Sequence, residues 1–70
     1  MIRTMVARLA DRLKTEPNDL DGWMRLGRAY GVLGERDKAI DAYEHADGLL
    51  PAGSDQHGAI AAAITALKTK

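Results

Sequence analysis

Seventy residues make one small domain, too short for a large buried core. Ten basic residues offset ten acidic ones, and that neutrality argues against bulk attraction to nucleic acid or an anionic membrane. With no cysteine there is no disulfide, thiolate metal site or cysteine nucleophile, which suits a reducing compartment and a periplasmic domain alike.

The apolar spacing predicts four amphipathic helices and no strand. The first runs over 2–15, with Ile2, Met5, Val6, Leu9 and Leu13 on one face. Its arginines and aspartate are spread throughout, unlike a signal peptide. Asp19 is the N-cap candidate for the second helix, over 20–33, in which Trp23, Leu26, Tyr30 and Leu33 make the stripe. Glycines interrupt this helix at Gly27 and Gly31, although each costs roughly 1 kcal/mol relative to alanine. Gly34 can take the left-handed conformation that ends it. The third helix, 37–49, presents Ala39, Ala42, Tyr43, Ala46 and, just beyond it, Leu50. Ser54 is the N-cap candidate for the fourth, 55–68, with Ile60, Ile64 and Leu67 facing inward. No apolar run approaches the ~20 residues that span a bilayer.

Pro17 and Pro51 lie 34 residues apart, and a shift of that length lays apolar on apolar. Val6 falls on Ile40, Leu9 on Tyr43, Leu26 on Ile60, Tyr30 on Ile64 and Leu33 on Leu67. Two pairs break the match, Arg12 against Ala46 and Trp23 against His57.

Trp23, Leu26, Gly27, Tyr30, Ala39, Tyr43, Ala46 and Pro51 follow the W-x2-L-G-x2-Y, Ala, aromatic, Ala, Pro pattern of the tetratricopeptide repeat. The chain resembles that family over about half its length. The resemblance implies an all-α solenoid fragment of antiparallel hairpins: 1–18 as the second half of a preceding repeat, 19–53 as a complete repeat and 54–70 as a capping helix. It also explains Gly27, which would let the two helices of the repeat approach where they meet. A narrower run, Leu9, Arg12, Leu13, Pro17, Asp19, Gly22, Trp23, Leu26, Arg28 and Tyr30, is similar to the C-terminal repeat region of the apocytochrome chaperones of bacterial c-type cytochrome maturation. Gly22 directly before Trp23, and Arg28 after Gly27, are its less generic elements.

No arrangement in the sequence points to catalysis. His45 and His57 are twelve apart, on different helices and without an i, i+4 ligand partner, so they read as one solvent-facing and one capping-helix histidine rather than a metal site. Asp37, Asp41, Glu44 and Asp47 read as a solvated face, since acid–base work needs a cleft that a hairpin lacks. Trp23 and Tyr30 read as core. Opposite their stripe, Asp21, Met24, Arg25, Arg28 and Val32 form one arc of the second helix. In stacked repeats this arc lines the concave ligand surface. Met24 and Val32 then supply apolar contact, while Arg25 and Arg28 pair with carboxylates. Both Met24 and Arg25 are expected to lie off the packing stripe. Ala59, Ala62 and Ala66 offer a facing wall.

The expected function is peptide binding without chemistry or cofactor. The resemblance implies a ligand, the C-terminal helical segment of an apocytochrome c or another helical peptide. It also implies a periplasmic setting, within a longer membrane-anchored protein that this segment does not itself anchor. The alternatives are a generic scaffold or a self-associating module that buries its half-repeat ends, in the cytoplasm if the resemblance misleads. A carboxylate-clamp adaptor fits poorly, because the second helix has neither lysine nor asparagine.

Overall fold

The computed structural model describes the backbone of residues 2–69 and the side chains of residues 3–69. It contains four helices and, among the described residues, no strand: α1 (Ile2–Thr15), α2 (Leu20–Val32), α3 (Arg36–Gly48) and α4 (Gln56–Lys68). Each helix packs on its neighbour in sequence, α1 on α2, α2 on α3 and α3 on α4. The result is a slab of 36 × 30 × 13 Å. Its short dimension is little more than one interhelical spacing of roughly 8–10 Å.

The core draws one narrow seam from each helix. Val6 and Leu13 come from α1, Trp23 and Leu26 from α2, Ala42, Tyr43 and Ala46 from α3, and Ile60 from α4. Seven residues apart, Val6 and Leu13 sit almost above one another on a helix. That single line suffices because α1 packs chiefly against one neighbour, α2. Met5, expected on this face, is instead 69% exposed. It lies about 100° around the helix from Val6, where no other helix covers it. Ile2, expected on the same stripe, falls outside the described side chains.

Gly27 lies where α2 meets the Tyr43 ring of α3. A Cβ built there would lie 2.9 Å from Cε1 and Cζ of Tyr43, so the tyrosine ring occupies the space a side chain would need. Gly34, with φ +79°, ends α2 in a Schellman turn. The Glu35 N–H donates to the Tyr30 carbonyl at 2.9 Å and the Gly34 N–H to Gly31 at 3.1 Å.

The connection 16–19 is a small knot built from the narrower motif. Asp19 caps α2, one carboxylate oxygen accepting from the Gly22 N–H at 2.9 Å and the other from the Arg12 guanidinium at 2.7 Å. A Cβ on Gly22 would meet that second oxygen at 2.7 Å and a Leu13 methyl at 2.8 Å. The Trp23 indole N–H donates to the Pro17 carbonyl at 2.9 Å. Arg12, Leu13, Pro17, Asp19, Gly22 and Trp23 therefore fix how α1 enters α2. Their role is architectural.

At α4 the cap differs from expectation. The N-cap is Asp55, already helical at φ −62° and ψ −22°, with no capping bond from its side chain. Ser54 acts from one residue earlier, its hydroxyl accepting from the Gln56 N–H at 3.3 Å. The first turn is tight, with Gly58 N–H donating to the Asp55 carbonyl.

Candidate peptide-binding cleft

Between α2 and α4 runs a shallow cleft of about 390 Å³. Gly31 presents no side chain toward α4, and Gly27 and Tyr43 line the cleft beside it. Even a Cβ at Gly31 would touch only Leu67 Cδ2, at 3.8 Å. Ala63, Ala66 and Leu67 form the α4 wall, and Arg28 and Val32 the α2 rim.

The five residues expected on this surface separate. Arg28 and Val32 line the cleft, Val32 with 73% of its surface exposed. Asp21 and Arg25 lie outside it and hold each other across one helical turn at 2.9 Å. An i, i+4 pair of this kind already gives each charge a local partner, though an exposed one contributes only about 0–1 kcal/mol. Met24 sits at the edge of the arc, half-buried and packed against the core, which corrects the expectation that it lies off the packing surface. The helix explains this: Met24 falls about 100° from Trp23, within reach of the buried stripe. Of the expected alanine wall only Ala66 lines the cleft, joined by Ala63.

Arg28 differs from Arg12 and Arg25. Arg12 and Arg25 are each held by carboxylates, whereas Arg28 is exposed and makes no ion pair or hydrogen bond among the described residues. The cleft thus joins an apolar trough to one uncommitted guanidinium, whose planar fork suits a carboxylate. A wider depression of about 610 Å³ at the α2–α3 turn is lined mostly by charged side chains, Glu35, Arg36, Asp37, Lys38 and Lys68, with Ile40 and Leu67 among them.

The two histidines have separate structural partners. His45 is exposed and stacks on Trp23, ring centroids 4.2 Å apart, covering the edge of the core. His57 touches Asp47 and Pro51 at the α3–α4 junction, with Nδ1 at 2.5 Å from the Asp47 carboxylate and Nε2 at 2.9 Å from the Pro51 carbonyl. Those contacts, the Asp47 hydrogen bond first and the Pro51 bond second, raise its pKa above 6.5. Sequence reasoning treated Asp47 and His57 as unrelated surface groups. The available signal was charge: between Lys38 and Lys68 the chain has four carboxylates and no lysine or arginine, so a histidine there is the natural cation. Asp19 shifts the other way, its carboxyl held below 3.8 by the Gly22 N–H and then by Arg12.

Comparison with known proteins gives related sequences. The chain is similar to the cytochrome c-type biogenesis protein CycH of Bradyrhizobium diazoefficiens, 60% identical over 42 residues, covering 60% of this chain and 11% of that protein. It is 52% identical over 56 residues to CycH of Rhizobium meliloti, covering 80% of the chain and 15% of that relative. Over 45 residues it is 38% identical to the formate-dependent nitrite reductase complex bifunctional subunit NrfFG of Haemophilus influenzae, covering 64% of the chain and 12% of that protein. The chain therefore spans 11–15% of the length of these relatives. No protein-family profile matches it, and no solved structure matches it significantly. Among the described residues no helix is long and apolar enough to cross a membrane.

Proposed function

We propose that this segment is a tetratricopeptide-type binding module of c-type cytochrome maturation, which holds the C-terminal helical segment of an apocytochrome c in the cleft between α2 and α4. It works in the periplasm as part of a longer membrane-anchored protein, and it performs no chemistry. The relatives named for cytochrome c biogenesis support the setting. The observation that carries the binding mode is the apolar trough rimmed by Val32 and the unpaired Arg28. A ligand helix would lay its apolar face along Gly27, Gly31, Ala63 and Ala66 and bring a carboxylate to Arg28. One exposed ion pair contributes up to about 1 kcal/mol. Every 100 Å² of apolar surface buried contributes roughly 2.5 kcal/mol, so apolar contact must dominate the affinity.

Calorimetric titration with synthetic apocytochrome C-terminal peptides tests this. Val32→Asp should weaken binding most and Arg28→Glu less, while Arg25→Ala leaves it near wild type, because Arg25 is already committed to Asp21. Wild-type affinity in the Val32 and Arg28 variants would move the site off the cleft. If the longer parent protein binds no such peptide, the ligand assignment fails.

A second reading, a self-associating module, has its own observation. The outward face of α4 carries Gly58, Ala59, Ala61, Ala62 and Thr65, all exposed and none charged. Sedimentation equilibrium over a wide concentration range separates the readings, since a strictly monomeric species removes this one.

A further inference from the structure

The pair that breaks the 34-residue match in the sequence makes the same hydrogen bond in space. Trp23 donates its ring N–H to the carbonyl of Pro17, six residues earlier, at 2.9 Å. His57, one period on, places Nε2 against the carbonyl of Pro51, also six residues earlier and also at 2.9 Å. Each aromatic ring ties the start of a helix to the proline of the turn before it. The two ties differ in chemistry. An indole N–H is always a donor, whereas a neutral imidazole carries one N–H and one lone pair.

His57 has acceptors at both nitrogens, the Asp47 carboxylate at Nδ1 and the Pro51 carbonyl at Nε2. Neither acceptor can donate. A neutral ring must therefore turn a lone pair toward one of them, in either tautomer; only the imidazolium satisfies both. We propose that His57 is a protonation-dependent clamp that holds the start of α4 on α3, and so sets whether the second wall of the α2–α4 cleft is in place. The clamp stands on the geometry alone. Its consequence for ligand binding rests on the peptide-binding reading above.

The surroundings leave the proton to this one contact. From α3 the ring meets Asp47, and Asp47 is the charge that acts on it among the described residues. The connecting segment 49–55 adds the Pro51 carbonyl, and its one carboxylate, Asp55 at the N-cap of α4, makes no capping bond. On α4 no charged side chain precedes Lys68. Beyond the clamp, the first turn of α4 has the Ser54 hydroxyl on the Gln56 N–H, while Asp55 makes no capping bond and Ile60, one turn on, is the one fully buried side chain of the helix among the described residues. With the clamped pKa raised, the clamp's stabilisation is complete below the unfolded histidine value of 6.5 and is lost as pH rises through the clamped value.

Hydrogen exchange of backbone amides, followed by NMR together with the His57 ring resonances, tests the proposal on the chain as it stands. Between about pH 5 and about pH 8, where a histidine titrates, the protection factors of α4 should fall relative to those of α2. The fall should equal the ratio of the ring's acid constants in the loose and clamped states. Asp47→Asn should bring the ring's pKa down and abolish most of that fall. His57→Trp, which installs the fixed donor of the preceding repeat, should make α4 protection independent of pH. If that variant fails to fold, Asp47→Asn still decides. A His57 pKa at or below 6.5, or α4 and α2 protection that change together with pH, overturns the clamp. A peptide bound by the wild type should bind more weakly at the higher pH, and its affinity for the Asp47→Asn variant should vary less with pH. Equal pH dependence in both overturns the link to the cleft. Failure of every peptide to bind overturns the peptide-binding reading instead and leaves the exchange experiment decisive for the clamp.

Discussion

Adding one methyl group at position 27 tests the account of the α2–α3 contact. The new Cβ would stand 2.9 Å from Cε1 and Cζ of Tyr43 and 3.0 Å from Cδ1. Non-bonded carbons settle at roughly 3.5–4.0 Å, so the ring must retreat by about 0.5 Å or more. Tyr43 is 9% exposed and packs within the core, so that movement disturbs its neighbours. Overpacking of this size costs roughly 1–3 kcal/mol. The gain in helix propensity on leaving glycine offsets about 1 kcal/mol. Gly27→Ala should therefore lose up to about 2 kcal/mol. Gly31→Ala makes only an ordinary 3.8 Å contact with Leu67 and should keep most of its gain of about 1 kcal/mol. In a domain this small, each kcal/mol moves the midpoint by roughly 4–8 °C. Thermal melts followed by circular dichroism should therefore shift in opposite directions for the two variants. Leucine at position 27 drives more carbons into the ring and should cost roughly 1–3 kcal/mol net. Removing the ring with Tyr43→Leu should turn Gly27→Ala from a loss into a gain. If Gly27→Ala and Gly31→Ala shift the midpoint alike, or if Tyr43→Leu leaves the Gly27 effect unchanged, the close-approach argument is wrong.

Other consequences can be measured on the same variants and instruments. The Asp19 carboxyl is held below 3.8 by Gly22 and Arg12, so its stabilisation is present above that value and is lost as pH falls through the lower folded pKa; Asp19→Asn should flatten the acid limb of a pH–stability curve. Trp23→Phe removes the donor to the Pro17 carbonyl and should cost roughly 0.5–1.5 kcal/mol, beyond any change in packing, in urea titrations. Met24→Asp should lower the melting temperature, because Met24 packs on the core, whereas Arg28→Glu should stay within about 0.5 kcal/mol of wild type.

The fold was legible because small and large residues repeat on helical periods and the breaks carry their own chemistry. Asp19 and Gly34 do what their types and places foretold, one accepting from an orphan N–H, the other turning to positive φ. Met5 misled, because periodicity says which residues share a face but not whether another helix covers it. The arc on α2 was legible as an arc and illegible as a site. The i, i+4 spacing already pairs Asp21 with Arg25 and gives Arg28 no acidic neighbour, but it could not tell which of them lines a cleft. Nor could it tell that Met24 turns toward the core. The Asp47–His57 contact depends on how the 49–55 connection folds back, and alignment by residue type hid it, since tryptophan and histidine share only a ring N–H. Gly22 carried a signal in its motif but no visible reason. The reason is a carboxylate 2.7 Å from where its Cβ would be.

Neighbour-on-neighbour packing also governs how the chain acquires its shape. The main contacts run from α1 to α2 to α3 to α4, through connections at 16–19, 33–35 and 49–55, so most of the packing forms without the closure of a long loop. Topologies of this kind fold on the microsecond-to-millisecond scale. The α2–α3 hairpin has the shortest connection, which makes it the natural nucleus, to which α1 and α4 add independently. During synthesis at roughly 5–20 residues per second, each helix emerges after its partner and docks at once. Each apolar seam thus meets its main partner in the next helix along the chain, and α4 can dock on α3 as soon as both are made.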